Sequence, residues 1–180
     1  MSSSTPRRKG ELLRDLVIFA MLGAIMMISD VMMEALPNIH LLGLFIATFT
    51  VVYRVKALIP IYVYVALGGI YAILFGGILW WIPYLYLWAI LWALVMLIPK
   101  RLPRTFYFIL VHAVTTLHGL AFGALYAPAQ ALMYGLDVHG MLLWIAAGFT
   151  FDLLHAAGNF AFGFFIAPLS ALLTKLSRRK

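Results

Sequence analysis

The sequence has no cysteine among its 180 residues, and only 11% of it is Asp, Glu, Lys or Arg, with 6 acids in all. The lack of thiols excludes a disulfide framework, a thiolate metal centre and a cysteine nucleophile. A soluble domain carries roughly 25% charged residues, so there is too little charge here to clothe a water-exposed surface. The chain also lacks a G-x-x-x-x-G-K-[ST] phosphate loop, and any ATP-driven work must fall to another subunit. No internal repeat is visible, which withholds direct support from an inverted-repeat carrier.

What fills the sequence instead is apolar: 65% of residues are hydrophobic, against roughly 45–50% in a soluble domain. Runs long enough to cross a bilayer recur along almost the whole length. These features predict an all-α integral membrane protein, a six-transmembrane-helix bundle with both termini cytoplasmic. The expected spans are Leu16–Leu36, His40–Tyr53, Ala57–Phe75, Ile82–Ile98, Phe106–Tyr126 and Phe149–Leu173. Pro37, Gly76, Gly77, Pro99 and Pro103 punctuate their ends. The domain reading is a disordered cytoplasmic tail over 1–10, one membrane domain over 11–176 and a basic tail over 177–180. Arg7–Lys9 precede an apolar stretch, but no small-x-small cleavage site follows, so a cleaved signal peptide is not expected.

The basic residues set orientation. Arg7, Arg8, Lys9 and Arg14 precede the first span, and Arg54 and Lys56 lie between the second and third. Lys100, Arg101 and Arg104 lie between the fourth and fifth, and Lys175, Arg178, Arg179 and Lys180 come last. These are all 13 Lys and Arg, and six spans place every one on the same side. The positive-inside rule makes that side the cytoplasm. The clusters are short and juxtamembrane, suited to anionic lipid and not to nucleic acid. Ala127–Gly148 contains no basic residue and is interrupted by Pro128, Gly135, Asp137 and Gly140. It reads as a long outer connection, with a short helix over the mouth of the bundle.

Ionisable groups inside a bilayer cost ~2.5–3.5 kcal/mol each at a helix centre on translocon scales, so each is a functional candidate. In "FDLLHAAGNF", Asp152, His155 and Asn159 share one helical face at i, i+3, i+7. A rise of ~1.5 Å per residue puts them about 5, 9 and 15 Å below the outer surface, and His118 about 18 Å above the inner one. Asp30 and Glu34, an i, i+4 pair, occupy the outer third of the first span. His112 falls nearer the cytoplasm, apart from this group. In "GGILWWIPYLYLW", Trp81, Tyr84 and Trp88 form a stripe at the same outer level. Each residue alone also has a plain structural role, as interface aromatic, interhelical polar clamp or core histidine. Together they compose a pocket for a small, partly aromatic molecule: rings to sandwich it, carboxylates and amide to hold its polar edge. Asp30, Glu34 and Asp152, with no Lys or Arg in the outer half, favour a cationic or neutral ligand. Gly119 with Gly123, and Ala20 with Ala24 beside Gly23, are small-residue faces that admit a closely packed helix.

The span count, the A-x-x-x-A of the first helix and the D-x-x-H-x-x-G-N run of the last resemble the substrate-binding S components of energy-coupling factor (ECF) vitamin transporters. The resemblance covers the chain from Leu12 onward. It implies a transport subunit in the plasma membrane of a prokaryote, itself not an enzyme and without cofactor or bound metal. Such a subunit captures a vitamin-like micronutrient in a pocket formed by the outer halves of helices four to six, under the first and fifth loops. It also implies a transmembrane T component, docked on the Ala20–Ala24 face, and two ABC-type ATPases, with release by toppling of the whole subunit. Ala127–Gly148 would be the fifth-loop lid and Asn159 a ligand contact. The aromatic sandwich resembles that of thiamine-type subunits, although the Trp and His positions depart from their pattern. Two rival readings rest on the same residues. In one, Asp152 and His155 relay protons in a secondary carrier. In the other, His118, Asp152 and His155 hold a metal in an intramembrane enzyme.

Overall fold

A computed structural model of the protein describes residues 9–178, which are helix and turn with no strand among them. Residues 1–8 and 179–180, parts of the two expected tails, lie outside the described residues. The helices are α1 (Lys9–Met32), α2 (Leu42–Tyr53), α3 (Leu58–Tyr71), α4 (Tyr84–Leu97), α5 (Arg104–Leu120), α6 (Phe122–Tyr134), α7 (Val138–Gly163) and α8 (Ile166–Arg178). Four apolar segments are long enough to cross a membrane, namely Gly10–Met32, Leu42–Gly76, Leu79–Leu97 and Val138–Gly163. A fifth arises if α5 and α6, bent by 40° where they meet, form one span.

The segment Leu42–Gly76 is interrupted at Arg54, whose backbone has φ 56°, a left-handed conformation costly for a side-chain-bearing residue. Neighbours hold it there: the Arg54 guanidinium donates to the carbonyl of Met96 (3.1 Å), and the Trp92 indole donates to the Arg54 carbonyl (3.1 Å). The chain doubles back at this point, because His40 ahead of α2 and Tyr64 within α3 both pack on the ring of Trp88. Lys56 at the same end reaches Asp15 of α1 at 3.4 Å. The core gathers between α2, α3 and α4, with Met26, Phe49, Ile61, Tyr64, Trp88 and Leu91 almost wholly buried.

Small residues set the helix spacing. A side-chain carbon added at Gly23 would collide with Val63 and the Pro60 carbonyl of α3. One at Gly119 would lie 3.1 Å from the backbone of Ala156 on α7. Gly23, expected to widen an outward groove beside Ala20 and Ala24, is therefore spent on packing α1 against α3, which corrects that expectation. Ala20 remains exposed and Ala24 is half-buried. Gly119 and Gly123 likewise serve the α5–α7 and α6–α7 contacts inside the bundle.

Two expected boundaries also move. Ala127–Gly148 is not a long connection. It is the end of α6, a turn at 135–137 and the start of α7, so the pair forms a helical hairpin. Gly135 supplies the left-handed residue that ends α6 (φ 66°), and the Asp137 carboxylate caps α7 by accepting from the N–H of Gly140 at 2.7 Å. The last expected span, Phe149–Leu173, is broken at 164–165 between α7 and α8. Pro168 explains the break: it cannot donate to the carbonyl of Phe164, and its ring crowds that carbonyl.

Candidate functional site

At the end of the bundle away from Lys56 and Asp15, two cavities adjoin. The first, about 350 Å³, lies between the last turn of α1, the 33–41 connection, α3 and α4. The second, about 430 Å³, lies under the α6–α7 hairpin. Asn38, Trp80, Tyr84 and Phe122 line both, so they form two compartments of one cleft.

Carboxylates and phenols pair across the first compartment. The Tyr64 hydroxyl donates to Asp30 at 2.8 Å, and the Tyr71 hydroxyl donates to Glu34 at 3.0 Å. Asp30 lies in the last turn of α1 and Glu34 in the turn that follows that helix, while Tyr64 and Tyr71 are two turns apart on the facing side of α3. His155 forms part of the floor; its side chain is only 1% exposed, and neither ring nitrogen has a protein partner. Its ring lies 4.5 Å from that of His40 and 4.8 Å from that of Phe122. Tyr84 closes the wall, edge-on to Trp88 and to Trp80. Among the described residues, no Lys or Arg lines either compartment.

Of the expected site residues, Asp30, Glu34, Tyr84 and His155 meet at the first compartment, and Asp152 reaches the second. The others lie outside the lining. Trp81 donates to the Val65 carbonyl at 2.7 Å and packs over Gly68 and Gly69. Trp88 is fully buried beneath Tyr84, and behind it His118 is hydrogen-bonded through Nε2 to the Leu87 carbonyl (3.1 Å). Asn159, expected as a ligand contact, instead donates to the Thr115 carbonyl at 3.0 Å and wedges between α5 and Gly43 of α2. Asp152 is 4% exposed and accepts from the N–H of Gly123 at 2.8 Å. That N–H would otherwise bond to the Gly119 carbonyl in an unbroken helix, so the Asp152 carboxylate stabilises the α5–α6 bend as a cap from another helix. His118, Asp152 and His155 do not converge on a metal site. No group of three or more His, Asp or Glu able to hold an ion occurs among the described residues.

Tyr64, Tyr71, His40, Phe122, Asn38 and Trp80 are among the lining residues that sequence reasoning missed. The α3 tyrosines had one usable signal, a seven-residue spacing that puts both on one face of α3. His40 lay at the edge of an expected span, where nothing marked its ring as inward.

No protein-family model matches the chain, and neither the curated proteins nor the solved structures contain a match to it.

Proposed function

We propose that this protein is the membrane-embedded capture subunit of an importer, binding a small cationic or neutral, partly aromatic solute from the outer face. The observation that carries this is the first compartment. Two carboxylates and an unpartnered buried imidazole converge there among aromatic rings, with no Lys or Arg among the described lining residues to compete for the acids. Its size falls within the ~300–1,000 Å³ of small-molecule sites. Asp30 and Glu34 attract an ammonium or protonated ring nitrogen, Tyr84 and Trp80 offer π faces, and His155 meets the solute's inner polar edge. Six spans follow if the chain crosses once on each side of the Arg54 reversal and α7–α8 cross together. All basic clusters then face the cytoplasm. In this reading the chain is an S component of an ECF-type vitamin importer. Exposed Ala20 then faces a T component, and two partner ATPases drive release.

The test is mass spectrometry of small molecules that co-purify in mild detergent. One basic or heteroaromatic compound at near one-to-one occupancy, lost in Asp30→Asn, supports the reading. An anionic compound, or one retained equally by Asp30→Asn and Glu34→Gln, counts against it. The row of buried rings His40 and His155, with His118 behind Trp88, favours a second reading, proton-coupled uptake without ATPases. Uptake into vesicles holding this chain alone, abolished by a protonophore, would select that reading.

A further inference from the structure

We propose that the basic end of the bundle carries a built site for an anionic phospholipid, its phosphate at the N-terminus of α5 and an acyl chain running along α5 past the α7–α8 break. Three cavities adjoin there and share Arg104 and Phe108. One, about 290 Å³, is bounded by Lys100 and Tyr107, and a second, about 610 Å³, by Ser170 and Lys175. The third, about 350 Å³, follows α5 through Ile109 and His112 against Gly163, Phe164 and Ile166.

The headgroup chemistry comes from several independent features. α5 starts after Pro103 with no side-chain cap, so its first N–H groups are free to meet an anion. Lys100, Arg104 and Lys175 surround that position, and among the described residues no acid lines any of the three cavities. Asp15, an acid at this end, is already engaged by Arg14 and Lys56. The Ser170 hydroxyl lines the second cavity, is 3% exposed and has no hydrogen-bond partner. Partial burial, then the nearby Arg54 charge, lowers the pKa of Lys100 below its ordinary value.

The tail chemistry selects a lipid over a soluble phosphate. From Arg104 to His112 the groove ascends α5 by about 12 Å, from charged to apolar lining, the order of headgroup and chain in a leaflet. Its far wall exists because Pro168 breaks the helix and Gly163 carries no side chain. This site is at the opposite end from the solute cleft and does not depend on the capture reading.

The experiment is native mass spectrometry of the full chain from micelles doped equally with phosphatidylglycerol and phosphatidylcholine of identical chains. The expected result is retention of phosphatidylglycerol with at least about tenfold preference. Arg104→Gln and Lys175→Gln should each reduce that preference about fivefold, and Arg101→Gln, outside all three cavities, should leave it unchanged. Equal retention of both lipids by the unaltered protein overturns the proposal without reference to any variant. Displacement of the lipid by millimolar glycerol phosphate overturns it in favour of a soluble phosphate.

Discussion

Two carboxylates, part-buried Asp30 and buried Asp152, have opposite employment here, and partners decide which. Asp30 accepts one phenolic hydrogen bond and keeps the rest of its acceptor capacity toward the cleft. Asp152 spends its charge on a backbone N–H at the start of α6. Removing the Asp152 carboxylate strands that buried donor, a cost of about 1–3 kcal/mol. Asp152→Ala should lower the detergent unfolding midpoint, whereas Asp30→Asn should weaken solute retention by roughly tenfold or more with the midpoint little changed. The tenfold figure corresponds to one charge-assisted bond of ~1.5–3 kcal/mol. Thermal unfolding and ligand occupancy, measured on both variants, would reveal a swap of these phenotypes and so reverse the assignment. Asn159→Ala belongs with Asp152, as a packing loss that spares the cleft.

At the scale of helices, α1 and α3 form one unit because Gly23 lets Val63 and Pro60 approach. The Asp30–Tyr64 and Glu34–Tyr71 pairs depend on that approach. Gly23→Leu should separate the helices, costing both stability and solute binding. Ala20→Leu, on the exposed face of α1, should leave both intact and, in the importer reading, block assembly with the partner membrane subunit. Co-purification with that subunit, beside occupancy and melting of the isolated chain, checks the contrast. Equal damage from both variants would mean that the Ala20 face is also internal. The helix breaks follow equally local rules: Pro168 ends a backbone ladder by chemistry readable in the sequence, whereas the α5–α6 bend depends on Asp152 from a distant segment.

Across the whole molecule, the reversal at Arg54 governs the topology. A chain without cysteine lends itself to labelling. Single cysteines in place of Lys56, Arg101 and Ser177 should react with a membrane-impermeant maleimide only from the cytoplasmic side, and those in place of Ile78 and Leu136 only from outside. Protection of the Lys56→Cys variant from both sides would mean that Leu42–Gly76 crosses once, and six spans would fail. The apolar helices were legible because bilayer solubility demands long unbroken runs, and Tyr53 is where α2 ends, as expected. The hairpin of α6 and α7 was hidden because Pro128 and two glycines resemble loop punctuation, yet Pro128 is accommodated within α6.

Composition and spacing by themselves determined that this is a helical membrane protein, and which polar residues share a helix face, because hydropathy and the 3.6-residue turn act locally. Only the tertiary structure decided which of those residues meet the cleft and which close contacts between helices. Asp152, His155 and Asn159 lie on one face of α7, but that face meets Gly123, an open floor and Thr115 in turn. Side-chain spacing along one helix cannot specify what a neighbouring helix offers opposite each position, and that neighbour is set by glycine contacts and a backbone reversal far away in the chain.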